Sequence, residues 1–228
     1  MSTSLAAFLP SANLPAMSDE DLGAAMLAGA EDIKTGGGGG SYLQFSGKTG
    51  QYKLSSTGNA PDPEDRFILE PQSLIVGWTC WLGGKPKDRH KWSFFAPQDA
   101  VHRDALEDHG PYKASEGWKE MAGFGFVSCD GDATPTTFET TAVSGRNSVS
   151  DIITEMGTRA AAGEPSIPVI NFSEEKFTVD DNTNWKPMFP VESWVTREAV
   201  GAYLDPDVKY DIDDLVDGAK VTKARKRK

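Results

Sequence analysis

Residues Phe67 to Phe95 read FILEPQSLIVGWTCWLGGKPKDRHKWSFF. The first half is a long run rich in β-branched and aromatic residues, the composition of a half-buried strand. GGKP, Gly83 to Pro86, is turn chemistry, and the run from Lys87 to Phe95 returns beside the first. The stretch is the best hairpin in the chain, and its alternation carries a further message. Side chains of a strand point to opposite faces in turn, so Trp78 and Cys80 share one face and Trp81 lies on the other. On the return strand Lys85, Lys87, Arg89 and Lys91 are all odd-numbered and are expected on one face, with His90, Trp92 and Phe94 on the other.

A cationic strand face beside an exposed indole is a physical recipe for single-stranded nucleic acid. Bases stack on the ring and ammonium or guanidinium groups follow the phosphates. Trp81 is the expected platform if it shares the side of Lys85, Lys87 and Arg89, with Trp78 the other candidate. The competing reading is a solvated, lysine-rich outer face with both tryptophans buried, one beneath a loop.

Working outward, residues 42–54 pair two short runs, YLQF and QYKL, around SGKTG as a leading hairpin. WKEMAGFGFVSC (118–129) and TTFETTAV (136–143) read as strands joined at DGDATP. Val149, Ile152, Ile153 and Met156 form one apolar stripe, which predicts a helix over Asn147–Ala161. Ser148 with Asp151 resembles a capping box, and Gly163 suits the stop. SIPVINF (166–172) is a short buried strand, and EKFTV (175–179) is expected to pair with it. NWKPMFPVESWV (184–195) closes the series; Pro187 and Pro190 argue for an edge or bulged strand.

Strands, one long helix and further strands make a mainly β chain with a minor α component. Three strands (Leu74–Leu82, Lys87–Phe95 and a hairpin within Lys119–Val143), a helix, then Ile167–Phe172 and Met188–Val195 follow the order of an oligonucleotide/oligosaccharide-binding (OB-fold-like) barrel. The leading hairpin is an addition. Residues 1–41, with five consecutive glycines near their end, read as a flexible arm with a glycine linker, a docking helix for a partner being the alternative. The barrel domain is expected over 42–204, followed by an acidic then basic tail over 205–228.

That tail matters to charge. The chain of 228 residues carries a formal net charge of -11. Its last stretch holds Lys220, Lys223, Arg225, Lys226, Arg227 and Lys228, directly after a block of aspartates. The tail would add sequence-independent affinity for phosphates. Elsewhere the acid excess suits a protein partner, so an interaction protein using its acidic surface and tails is the alternative function.

Catalytic signatures are missing. There is no phosphate-binding GxxxxGK[ST], no GxSxG and no HExxH, so no enzyme and no cofactor is expected. His102, Asp104, Asp108 and His109 cluster in HRDALEDH, but their spacing matches no metal site and a solvated loop is expected. Two cysteines, Cys80 and Cys129, suggest reduced thiols in a cytosol. The first residues lack a basic segment and a long apolar run, so neither a signal peptide nor a membrane span is expected.

YLQFSGKTGQYKL, EPQSLIVGWTCWLGGKP, IPVINF and PMFPVESWV together resemble a family of tailed-bacteriophage proteins, over Tyr42 to Val195. The family pairs an opening hairpin with an NP-x-S-x-x-x-GW-x-x-W-x-x-G-K stretch and a closing P-x-F-x-x-x-x-W. Gly77, Trp78, Trp81 and Trp194 are the matching positions; Tyr52 stands where the family has Trp, and Glu70 replaces an asparagine. The resemblance implies a single-stranded-DNA-binding barrel of a phage replication or recombination module in the bacterial host cytoplasm. It also implies phage or host replication proteins as partners, met through the arm or the acidic segment; an oligomer is compatible with it.

Overall fold

Sixteen residues, Phe67–Leu82, form a single strand around which the rest of the sheet is hung. The computed structural model describes residues 41–129 and 135–203. The arm, the DGDATP turn apart from Pro135, and the C-terminal tail with its six basic residues lie outside the described residues. Ten strands occur in chain order: β1 (Ser41–Ser46), β2 (Gln51–Leu54), β3 (Phe67–Leu82), β4 (Lys85–Ser93), β5 (Gly117–Ser128), β6 (Thr136–Thr140), β7 (Ile167–Ile170), β8 (Ser173–Val179), β9 (Asn182–Met188) and β10 (Val191–Val195). Helix α1 (Val143–Ala161) separates β6 from β7, and α2 (Arg197–Tyr203) ends the described chain.

The main sheet runs β10-β7-β3-β5-β6-β1-β2, with β4 also paired to β3. β5 follows one edge of β3 along its length, while β7 and then β4 share the other edge. The result is a mainly β, curled half-barrel with one long helix and an added hairpin, consistent with an OB-fold-like barrel. It departs from simple strand succession: β4 lies at an edge while β5 pairs with β3 directly, β7 also pairs with β3, and β1 joins β6 in parallel.

Two glycines mark close approaches between strands of the sheet. A Cβ on Gly77 would stand 2.0 Å from the His90 carbonyl oxygen, and one on Gly123 2.3 Å from that of Phe138. Adjacent strands close in on one another there, which only glycine permits. The β3–β4 turn is equally specific: Leu82 pairs with Lys85, and Gly83 and Gly84 both have positive φ (61° and 74°), the requirement of a two-residue type I′ hairpin.

A bulge between Glu70 and Ile75 inverts the facing of β3. Before it, Phe67 and Leu69 face the main core; beyond it, Leu74 takes that role. Ser73 bridges the irregularity. Its hydroxyl donates to the Glu70 carbonyl (2.5 Å) and accepts from the Gly125 N–H (2.6 Å). A side chain thus replaces ladder bonds that the backbone cannot make around Pro71.

The core joins Leu43, Leu74, Phe124, Phe126 and Phe138 of the sheet to Val149, Ile152 and Met156 of α1. The stripe expected of the helix is the one buried. The helix starts four residues earlier than expected, at Val143, because Ser148 is not a cap. Its hydroxyl donates to the Ser144 carbonyl within the helix. Gly163, with φ of 72°, ends it as expected: its N–H reaches the Ala160 carbonyl and the Glu164 N–H reaches that of Arg159.

EKFTV does not join SIPVINF; β8 pairs with β9 in a separate two-stranded sheet. The polarity of β8 explains this: glutamates at 174 and 175 and Lys176 are exposed, whereas all four residues of β7 are buried. The closing segment splits at Phe189–Pro190 into β9, which contains Pro187, and β10, a bulged edge strand. Tyr52 is a tie between the leading hairpin and this region. Its hydroxyl donates to the Ser173 carbonyl (2.7 Å) and accepts from the Met188 N–H (3.2 Å). Burial first of all pushes that phenol far above its ordinary pKa.

Gly77→Ala tests the close approach. It should destabilise the protein by about 3 kcal/mol, the scale of an overpacked site, read from urea unfolding. A change below about 0.5 kcal/mol would show that the strands can separate freely.

Candidate nucleic-acid interface

The register of three strands decides which side chains share a face. Thr79 lies opposite Arg89 on β4 and Lys119 on β5; Gly77 lies opposite Lys91 and Met121; Trp81 lies opposite Pro86 and Gly117. Arg89, Lys91 and Lys119 therefore occupy the outer face that carries Trp81. Trp78 lies opposite His90 and Glu120, on the inner face toward α1, and Trp92 neighbours it opposite Val76. The two tryptophans are on opposite faces, as alternation predicts.

The expected row of four cations is broken. β4 carries one extra residue between Cys80 and Trp81: Cys80 pairs with Asp88 but Trp81 with Pro86. Lys87 is that residue, and beyond it the parity reverses, so Lys85 lies opposite Leu82 rather than on the Trp81 face. The cause is Pro86, which has no N–H to give to a ladder and is tolerated at a bulge of an edge strand. Lys85 and Lys87 are both exposed near the hairpin tip.

On the outer face Arg89 and Lys91 converge on Glu139 of β6, at 3.4 and 2.5 Å. The carboxylate is well covered, with its side chain 14% exposed. Lys119 forms no ion pair among the described residues, so the cluster keeps two positive charges in excess. A groove of about 650 Å³ runs beside it, lined by Trp81, Thr79, Arg89 and Glu139 and by Tyr42, which is 41% exposed. The Trp81 ring is part-exposed, yet its indole N–H is buried and makes no hydrogen bond. No spacing in the sequence places Lys119 on this face; its register opposite Thr79 does.

The inner face is different. The Trp78 indole N–H donates to the Val101 carbonyl (2.9 Å), which pins the loop between β4 and β5 over the sheet. Two 3₁₀ turns, Pro97–Asp99 and Arg103–Ala105, shape that loop. Its far end closes on Trp118, which donates to the Glu107 carbonyl (2.8 Å) and packs against His90 and His109 with ring centroids at 5.4 and 5.9 Å.

Of the HRDALEDH cluster, only part is a solvated loop. His102 and Asp104 are largely exposed partners of one another, but His109 is mostly covered and bonds Asp88 at 3.1 Å. The His109 hydrogen bond, then the Arg89 N–H, holds the Asp88 carboxyl below the usual carboxylate range. Nearby, the buried Cys80 thiol donates to the Tyr112 hydroxyl at 3.7 Å. Among the described residues no group of three His, Cys, Asp or Glu side chains is arranged to hold a metal ion. Also among them, no helix is long and apolar enough to cross a membrane.

Compared with protein families, curated proteins and solved structures, the chain matches none of them. Its function must be argued from its own surfaces.

A depressed carboxyl stabilises the fold above its unfolded pKa, near 4, and that contribution is lost as pH falls through the lower folded value. Asp88→Asn should therefore lower stability at pH 7, and its deficit should shrink toward pH 3. Paired urea titrations at the two values check this; an equal deficit at both would assign the loss to something other than charge.

Proposed function

We propose that the protein binds single-stranded DNA without sequence preference, through the outer face of β3, β4 and β5. The observation that carries this reading is the pairing of Thr79 with Arg89 on one side and Lys119 on the other. It sets cations to both sides of the strand that presents Trp81. A base stacked on the indole gains about 1–3 kcal/mol, and the cations meet the flanking phosphates. The resemblance to the phage family supports the same role in replication or recombination, with DNA and replication proteins as partners. No catalytic group, cofactor or metal is needed for it.

The six basic residues at the C-terminus extend the reading. Arg89 and Lys91, held by Glu139, would exchange that carboxylate for phosphate on binding. Residues 41–203 hold 15 basic against 23 acidic residues, which makes the cationic cluster a local exception. The same acid excess favours the alternative, an interaction protein that meets a partner through its acidic surface.

A fluorescent oligothymidine titrated at two salt concentrations separates the two. DNA binding predicts salt-sensitive affinity with tryptophan quenching, and an absence of binding at low salt would remove it. Trp81→Ala should weaken binding about tenfold, and Lys119→Gln should lower the salt slope by about one. Glu139→Gln should act in the opposite sense, raising affinity by freeing two cations. Deletion of Lys220–Lys228 should lower affinity and flatten its salt dependence; an unchanged slope would exclude the tail from the interface.

A further inference from the structure

A second concave site lies on the face opposite Trp81. The strands bearing Trp78 and Trp92 form one wall, the loop at Val101–Arg103 a second, and α1 the third through Val149 and Ile153. The cleft measures about 780 Å³ and its lining is mainly apolar. That is within the range of small-molecule sites, roughly 300–1,000 Å³.

Three observations point to what it takes. First, its walls are flat rings. Trp78 is locked by its bond to Val101, Trp92 is its diagonal neighbour, and Phe94 stands 42% exposed at the mouth. Rigid, part-exposed aromatic walls suit a planar aromatic ligand and lose little entropy on binding it. Second, two guanidinium groups border it. Arg103 lies 6.0 Å from the Trp78 ring and has no ion pair among the described residues, and Arg146 is paired with Glu120, the one carboxylate in the lining. Third, Arg146 Nε is buried and makes no hydrogen bond. A buried donor left without an acceptor is costly, and an acceptor oxygen supplied by a ligand removes that cost.

We propose that this cleft is a nucleotide-binding site, holding one base against Trp78 and Trp92 and its phosphate between Arg103 and Arg146. Aromatic walls alone would suit any flat apolar ring; the paired guanidiniums and the orphaned donor add the requirement for an anionic group. The geometry also explains how one strand of DNA could use both faces. Among the described residues β4 is paired only to β3, so a DNA strand leaving Arg89 and Lys91 on the outer face can pass round the free edge of β4 to Trp92 on the inner face. The proposal rests on the nucleic-acid reading for the class of ligand, but on a separate set of residues.

The full chain should be titrated with deoxyadenosine monophosphate and with deoxyadenosine, by calorimetry and by tryptophan fluorescence. The nucleotide should bind saturably, and the nucleoside about tenfold more weakly. Arg103→Gln, on an exposed turn, should weaken nucleotide binding about tenfold, and Ile153→Trp should abolish it by filling the cleft. Trp81→Ala should leave it unchanged. Absence of saturable binding at millimolar nucleotide would overturn the proposal. So would binding that is lost in Trp81→Ala and retained in Arg103→Gln, since the ligand would then sit on the outer face. The effect of Trp81→Ala on oligothymidine binding reads the outer face separately: no effect there alongside intact nucleotide binding would remove only the outer-face role, and the converse only the cleft.

Discussion

The facing of two tryptophans depends on a single irregularity some eight residues before them. In the first part of β3 the odd positions, Phe67 and Leu69, enter the core. If the strand ran on without interruption, Trp81 would face inward and Trp78 outward. The bulge between Glu70 and Ile75 reverses the order, and Ser73 holds it in place with two short hydrogen bonds. Cleft and cationic face follow from that reversal, because all of β4 and the part of β5 from Gly117 to Gly123 pair with the second half of β3.

The long strand, the glycine turn, the helix stripe and the leading hairpin were all legible in the sequence because each rests on local rules. Alternation separates Trp78 from Trp81, two adjacent glycines specify the tight turn, and apolar residues at helical spacing specify α1. What the sequence did not disclose is what pairing decides. Lys85 was expected with Arg89, yet a bulge beside Pro86 turns it away. EKFTV pairs with β9 rather than β7: its short apolar pattern suits any strand, and only the polarity of its flanks distinguishes a hairpin of its own.

The site shows the same division. Arg89 and Lys91 sit where parity put them, but Glu139, which neutralises part of their charge, comes from a strand 48 residues away. The inner cleft was harder still to foresee. It needs Trp78, a loop carbonyl at Val101 and a helix residue at Arg146 to meet, and no spacing along the chain announces such a meeting. His109 is the instructive case among the histidines. Its neighbours in HRDALEDH are solvated, and only the fold brings it to Asp88 and Trp118.

Strand β4 also has a bearing on how copies of the chain behave toward one another. Among the described residues one of its edges has no paired strand, and an unpaired edge is a template onto which another chain can add. Lys85, Pro86 and Lys87 stand along that edge: two charges that repel a second sheet and one residue with no N–H to offer it. These lysines thus have a reason to exist that is independent of any ligand. Arg89 and Lys119 project from the face of the sheet, where no such guard is required, and their charge weighs correspondingly more as a sign of what the face meets.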